Sequence, residues 1–535
     1  MVVETYDAVI IGAGHNGLAT GVILAEAGWS VLVLERNDRP GGSVRTEEVT
    51  LPDFRHDLMA MNLNLFAGSR FFERYGERLR HHGFDFVPTS NPVCSVFPDG
   101  GHVAITTDLE KTLASISAHS TADADAYRAL FDRFGQTAPH LFPLLGVSMP
   151  SWAAARTLFR GWRKLGREWP LELARLVLQS SREFTGDHFQ SREAAALVAT
   201  WGMHLDFPPD VPGGALFPYL ETMAAQANGM VIGKGGASSM IDGLTGLFRS
   251  LGGELRYAAE VDGIVVEGGR AIGVIVDGER IPVGRAVISN VVPSILFGRL
   301  VPADRSPAEI RDKARRYRYA PGTMMVHLAM SDLPEWRAGI PASRSAYVHV
   351  GGYMDDMSRA YADAVAGRLP RRPTLVVGQP TTVDPSRAPE GRHVLWVQVR
   401  MVPSRIQADA VGEIATNDWA EAKEPFADRV MSILEEHAPG IGSRVLGRHV
   451  ISPEDLETLN PNLVGGDQLS GSHHPMQFFV FRPFPGWSRY KTPIDRLYMC
   501  GAATWPGAGV GAGSGTLLGE RLTMGGIGGR LRSRA

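Results

Sequence analysis

Cysteine is nearly absent. The 535 residues hold two, Cys94 and Cys500, too few for a disulfide framework and fitting no clustered zinc site, and suited to a reducing compartment. An excess of charge of one sign is missing as well: 54 basic and 57 acidic side chains leave a net charge of −3. That balance gives no electrostatic footprint for nucleic acid. No stretch reaches the roughly 18 to 20 uninterrupted apolar residues that span a bilayer. The opening Met-Val-Val-Glu-Thr-Tyr-Asp reads as the approach to a buried strand, without the basic flank of a secretory signal. The expectation is a cytoplasmic protein, with or without peripheral membrane contact. Metal chemistry has no signature, since H-E-x-x-H, paired C-x-x-C and EF-hand patterns are all missing. Gly513-Ser514-Gly515 lacks the G-x-S-x-G spacing of a hydrolase elbow. What remains is an ordinary globular composition, 44% hydrophobic and 21% charged, long enough to bury a large core.

The informative residues begin at position 8. An apolar run over residues 8–11 enters Gly12-Ala13-Gly14-His15-Asn16-Gly17, and a helical pattern follows through Leu18, Val22, Ile23 and Ala27. Gly12 allows the tight turn, Gly14 lets a pyrophosphate approach the backbone and Gly17 lets helix and strand pack. His15 and Asn16 open the helix, whose N-terminal amides favour an anion. Gly28 closes the helix, residues 31–34 form a second strand, and Glu35 stands at its end with Arg36 beside it. A carboxylate in that place binds ribose hydroxyls. Strand, glycines, helix, strand and terminal acid together specify a dinucleotide site.

The choice between NAD and FAD falls to the residues that follow. Pro40-Gly41-Gly42-Ser43-Val44-Arg45 resembles the second flavin motif of the FAD-dependent family that includes amine oxidases and phytoene desaturases. In that family the segment passes the bound dinucleotide and carries arginine directly after the glycines. Here Ser43 holds that place and Arg45, two residues on, is the candidate contact. Val261 takes the position where the family's backbone meets adenine, and Ala286-Val287-Ile288-Ser289-Asn290 resembles the strand that re-enters the nucleotide domain. A last strand, glycine-rich turn and helix come at Cys500-Gly501-Ala502-Ala503-Thr504-Trp505-Pro506-Gly507-Ala508-Gly509-Val510-Gly511. Amides there, those of Gly501, Gly509 and Val510 among them, would stabilise charge on a reduced flavin edge. With Pro461-Asn462-Leu-Val-Gly465-Gly466-Asp467, these segments are similar to carotene ketolases and the pyridine-nucleotide-disulfide-oxidoreductase-domain-2 branch.

The resemblance implies an α/β fold: a discontinuous Rossmann-type FAD-binding domain plus a mixed α+β substrate domain, amine oxidase/phytoene desaturase-like. The boundaries expected are 1–75, 230–299 and 481–535 for the FAD-binding parts, with a helical first substrate part at 76–229 and a second at 300–480. FAD is expected to be bound non-covalently. The implied activity is hydride removal from a hydrophobic, isoprenoid or carotenoid-like substrate by desaturation or ketolation, with oxygen or a quinone as electron acceptor. An oxidase of an amine or small ring compound is the second reading, and a prenyl or lipid escort without redox chemistry the third.

Three features of the middle segments remain. Among the histidines, His474 is the acid/base candidate because it stands closest in sequence to the flavin-side motif, and His204 is a substrate-pocket candidate. Trp505 occupies a slot where related proteins have histidine before Pro-Gly, and would offer a flat apolar wall to the substrate. Residues 152–169 place Trp152, Ala155, Phe159, Trp162, Leu165 and Trp169 at helical spacing against Arg156, Arg160, Arg163, Lys164 and Arg167. That pattern fits either a helix lying in a membrane interface or one packed on its own core with a solvated basic face.

Overall fold

The strands Tyr6–Ile11 and Val31–Leu34 are short apolar runs, the pattern of parallel strands covered on both faces. In the computed structural model, which describes residues 5–532 and their side chains through Met524, they sit at the centre of a seven-stranded sheet. Tyr6–Ile11 pairs in parallel with Val31–Leu34 on one side and Glu279–Ser289 on the other, with Ala8 opposite Val31 and Ala286. Glu254–Arg256 continues the parallel sheet beyond Val31–Leu34, and Leu497–Met499 lies beside the end of Glu279–Ser289. Val261–Glu267 and Arg270–Val276 extend it antiparallel. The parallel strands thus come from three distant stretches of the chain, and Ile11, Leu34, Ser289 and Met499 finish at one end. That end is where a doubly wound sheet binds its ligand.

Helix His15–Glu26 packs against the last helix, Gly513–Arg532. A side chain at Gly515 would place its Cβ 2.0 Å from the Asn16 carbonyl oxygen, so glycine there permits the two backbones to touch. The Gly515 amide donates to Asn16 Oδ1 (3.1 Å) and Thr20 Oγ1 donates to the Gly515 carbonyl (3.0 Å).

A second seven-stranded sheet runs Val445–Ile451, Gly322–Met330, His393–Val402, Thr374–Gly378, Tyr347–Val350, Val93–Val96, His102–Ile105. One face buries Val348, Val377, Val397 and Val326 against helix Trp419–His437. The other presents Tyr347, Val376, Trp396 and Met325 to a block of helices that includes Thr121–Leu145, Arg192–Met203 and Leu216–Asn228. The segment 76–229 is therefore not wholly helical: Val93–Val96 and His102–Ile105 belong to this sheet, and Phe86–Thr89 pairs with Met230–Gly233. Strands of four residues are too short to show a period, and Val93–Val96, buried on both faces, has no alternation to read.

The basic segment is two helices, not one. Trp152–Leu165 ends at Gly166, whose φ of +99° no helix continues, and Trp169 opens the next helix and turns inward. Its ring lies where a Cβ on Gly161 would meet it at 2.6 Å. Trp152 is 88% exposed and Phe159 51%, so the apolar edge of the first helix does not pack on the protein's own core. Among the described residues no helix is long and apolar enough to cross a membrane.

Candidate functional site

The glycine loop is shaped by requirements only glycine meets. Gly12 has φ +96°, and a Cβ on Gly17 would stand 2.4 Å from the Gly12 carbonyl oxygen. Gly14 is the N-cap of helix His15–Glu26 and supplies no capping side chain, so the first-turn amides are left for an anion. Glu35 is buried behind the loop: Oε2 accepts the Ala13 amide (2.9 Å) and Oε1 the Asn37 amide (3.0 Å). A carboxylate has about four acceptor sites, so capacity remains for ribose hydroxyls. Beside it, Gly41 (φ +128°) and Gly42 (φ +61°) bring the second motif against the loop, with the Gly41 amide donating to the Ala13 carbonyl (3.0 Å).

These elements wall a cleft at the carboxyl end of the parallel sheet. Gly12, Gly14, His15 and Asn16 line it with Glu35, Arg36, Gly41, Gly42, Val261 and Gly501, so the structure brings these sequence-marked residues together. Gly17 sits beneath the loop. Arg299 and Glu260 also line it, paired at 2.8 Å, and neither is marked by a motif.

Asparagine holds the cleft together, a role not evident in the sequence. Asn290 Nδ2 donates to the Gly12 carbonyl (3.2 Å) and the Asn290 amide to that of Ile11 (3.0 Å). Asn462 Nδ2 donates to the Asn290 carbonyl (3.1 Å), while its Oδ1 accepts the Val292 amide (2.9 Å). Asn460 Nδ2 reaches Ser43 Oγ (3.1 Å). The signal was available in outline: an asparagine ending a central strand, another in the Pro461-Asn462 motif and a third, Asn460, directly before it.

Other expected contacts fall elsewhere. Arg45 is not on the cleft wall; Nη2 is taken by Glu47 Oε1 (2.5 Å), two residues along an extended segment and so on the same side. Gly509 and Val510 also lie off that wall, and the Gly509 backbone faces the His15 ring. Because Asn16 Oδ1 accepts from Gly515, its amide nitrogen must donate to His15 Nε2 (2.9 Å). The proton of His15 is then on Nδ1. Burial pulls this imidazole down to about 4, against the opposing Gly509 contact, so it is neutral at physiological pH.

His474 is turned away from the cleft. Its Nε2 donates to the Asp206 carbonyl (2.7 Å) and its ring lies along Phe207. The neighbouring His473 reaches the glycine turn instead, with Nε2 accepting the Ala508 amide (3.1 Å). Burial holds His473 well below the usual imidazole range, which keeps that acceptor lone pair available. Trp505 is a core anchor, not a substrate wall: it is buried, its indole N–H donates to the Val147 carbonyl (2.9 Å), and it packs on Phe478 and Phe479. His204 caps helix Arg192–Met203 and meets His349 Nε2 at 3.1 Å, and burial holds it neutral. It belongs to an aromatic cluster with His349 and Tyr347 over the second sheet, outside the nucleotide cleft and beside the apolar layer between that sheet and the helices.

The site fits a dinucleotide carrying a ring system. The uncapped helix suits a diphosphate, Glu35 a ribose, and the segment from Gly501 to Ala503 on the cleft wall the polar edge of a flavin. Cys500 lines the cleft, and burial pushes its thiol up to about 12, which disfavours the thiolate.

The sequence profile described as flavin containing amine oxidoreductase matches residues 17–512. A limonene dehydrogenase chain of Castellaniella defragrans is 28% identical over 96% of this chain and 93% of its own length. A neurosporene-forming phytoene desaturase of Cereibacter sphaeroides is 27% identical over 94% and 91%, and the rat pyridine nucleotide-disulfide oxidoreductase domain-containing protein 2 is 26% identical over 95% and 92%. Among solved structures, an oxidoreductase from Methanosarcina mazei superimposes with a TM-score of 0.62 at 17% identity, covering 97% of this chain and 99% of that one. Putrescine oxidase bound to putrescine gives 0.61 at 16%, covering 98% and 99%.

Proposed function

Because the chain belongs to the family of flavin-containing amine oxidoreductases, we propose that it oxidises a hydrophobic, isoprenoid-like substrate by desaturation or ketolation. The protein is an FAD-dependent oxidoreductase, and bound FAD supplies the hydride acceptor. Gly14 with the first turn of its helix would hold the diphosphate, Glu35 the ribose, and the segment from Gly501 to Ala503 on the cleft wall the polar ring edge. In this reading the flavin is non-covalent, and oxygen or a quinone takes its electrons.

One observation carries the choice of substrate class. The layer where the second sheet meets the helical block is apolar and aromatic: Tyr347, Trp396, Val376 and Met325 from the sheet pack with Met61 and Met223. A substrate entering along that layer would be selected by burial of apolar surface. The names of the limonene dehydrogenase chain and the phytoene desaturase point the same way. The test is anaerobic mixing of the purified yellow protein with substrates. Bleaching of the flavin band by a terpene or polyene is expected; bleaching by amines alone would replace this reading with an amine oxidase.

The reading extends to membrane delivery of the substrate. Trp152, Phe159 and Trp162 stand exposed on the same helix as exposed Arg156, Arg160, Arg163 and Lys164, and Leu171 and Leu178 of the next helix are exposed too. Aromatic side chains suit the headgroup boundary, and each basic residue near an anionic surface adds about 1 kcal/mol. The protein is expected to sediment with vesicles containing phosphatidylserine and to be released by salt. Trp152→Glu with Phe159→Glu should abolish sedimentation at unchanged flavin content. Equal recovery of wild type and variant in the supernatant would refute membrane docking.

A further inference from the structure

In the loop 469–471 every backbone polar group already has a partner. Asp467 accepts the Leu469 amide at Oδ1 (2.8 Å) and the Gly471 amide at Oδ2 (2.7 Å), and its carbonyl oxygen takes the Ser470 amide (3.4 Å). Arg482 donates through Nη2 to the carbonyls of Leu469 (3.1 Å) and Gly471 (3.2 Å). The Tyr317 hydroxyl donates to the remaining carbonyl, that of Ser470 (3.1 Å). Glycine at 471 admits this phenol, since a Cβ there would stand 2.1 Å from the Tyr317 oxygen. Asp467, Arg482 and Tyr317 are all buried. Buried backbone must be paired, and here an acid, a guanidinium and a phenol are committed to holding three residues.

What they hold is Ser470. It lines the nucleotide cleft, is 6% exposed and has a φ of +52°. That left-handed conformation strains a residue with a Cβ, whereas glycine adopts it freely. The Ser470 hydroxyl makes no hydrogen bond among the described residues. A buried hydroxyl without a partner costs desolvation free energy. Strained backbone persists where the surroundings enforce it, and such residues cluster at ligand contacts. Glycine at 470 would remove both costs, yet the chain carries serine.

Arg482 also fixes what the loop lies against. Its Nε donates to the Ala502 carbonyl (2.9 Å), and Ala502 belongs to the Gly501–Ala503 segment of the cleft wall. A guanidinium is a planar fork of fixed geometry, so one side chain locks the Ser470 loop beside that segment.

We propose that Ser470 is a ligand of the flavin ring, its hydroxyl donating to the polar edge that rests against Gly501–Ala503, with Asp467, Arg482 and Tyr317 as its positioning residues. Reduction puts negative charge on that edge, and a hydrogen bond to a charged acceptor is stronger than one to a neutral acceptor. The hydroxyl therefore binds reduced flavin more tightly than oxidised flavin. The proposal rests on FAD occupying the cleft and is independent of the substrate class.

The test uses the FAD-loaded protein. Three quantities are read: the two-electron potential of the bound flavin, its release on dilution followed by flavin fluorescence, and the thermal midpoint. Ser470→Ala and Ser470→Gly both remove the hydroxyl, and the second also relieves the backbone. Each is expected to cut the preference for reduced over oxidised flavin about tenfold, a fall in potential of about 30 mV, and to speed release. Ser470→Gly should match or exceed the thermal midpoint of wild type. Tyr317→Phe, which frees the Ser470 carbonyl, should lower the potential by less, and combined with Ser470→Gly should lower it no further than Ser470→Gly alone. Wild-type potential in both Ser470 variants would overturn the proposal. So would a fall in Ser470→Ala that Ser470→Gly does not share, because backbone shape and not the hydroxyl would then set the potential. A fall in Tyr317→Phe that adds in full to that of Ser470→Gly would overturn the positioning role of Tyr317. Wild-type protein that neither retains nor takes up FAD would overturn the cofactor assignment itself, and the proposal with it.

Discussion

Glu35→Ala is expected to emerge from purification nearly colourless. The carboxylate accepts the Ala13 and Asn37 amides and keeps lone pairs for a ribose, so its removal acts twice. It takes away the sugar's acceptor, and it frees two amides that hold the glycine loop against the end of the second strand. Hydrogen bonds to a charged group contribute roughly 1.5 to 3 kcal/mol each, so losing one ribose contact and some order in the loop should weaken FAD on the order of a hundredfold or more. Glu35→Gln keeps one acceptor oxygen of the same shape and should fall between the two. The ratio of flavin to protein absorbance after gel filtration reads the effect, followed by titration of the stripped protein with FAD. Full flavin content in Glu35→Ala would contradict the ribose assignment.

The same loop explains what the sequence made legible. Gly12, Gly14, Gly17 and Glu35 answer to one local unit of strand, turn and helix, so their spacing carries their roles. Asn290, Asn462 and His473 answer to contacts made across long stretches of chain; Asn290 reaches Gly12 from 278 residues away, and no local pattern encodes that return. The two adjacent histidines show how fine the distinction is. Neighbours on extended backbone face opposite ways, so His473 meets the glycine turn and His474 meets Asp206, and nearness in sequence could not separate the two. Arg45 is lost to a nearer partner, Glu47. In the 152–169 segment the periodicity holds as far as Gly166, where a left-handed backbone ends the helix and sends Trp169 inward.

The second large effect is expected at Asp57. Its carboxylate pairs with Arg387 (Oδ2 to Nη2, 2.5 Å), and both side chains are almost fully buried. Oδ1 accepts the Thr46 hydroxyl (2.6 Å) and the Ala237 amide (2.8 Å), while Arg387 also donates to the Gly233 carbonyl (3.3 Å). One ion pair thus joins the chain leaving the second glycine motif, the start of helix Ser238–Ser250 and a loop of the second sheet. The two partners are not equivalent. Without Arg387, Asp57 still has a hydroxyl and an amide donating to it; without Asp57, the guanidinium has carbonyls alone and no counter-charge. Breaking a buried pair by removing one partner costs about 3 to 5 kcal/mol, and Asp57→Ala should sit at the top of that range with Arg387→Ala below it. Asp57→Leu with Arg387→Leu removes both charges together and should recover much of the loss, since an apolar replacement leaves nothing buried and unpaired. Denaturant midpoints for the three variants give the order directly. Equal midpoints for Asp57→Ala and wild type would show that the pair holds nothing together, and a double variant less stable than Asp57→Ala would show that packing volume, not charge, is what the site requires.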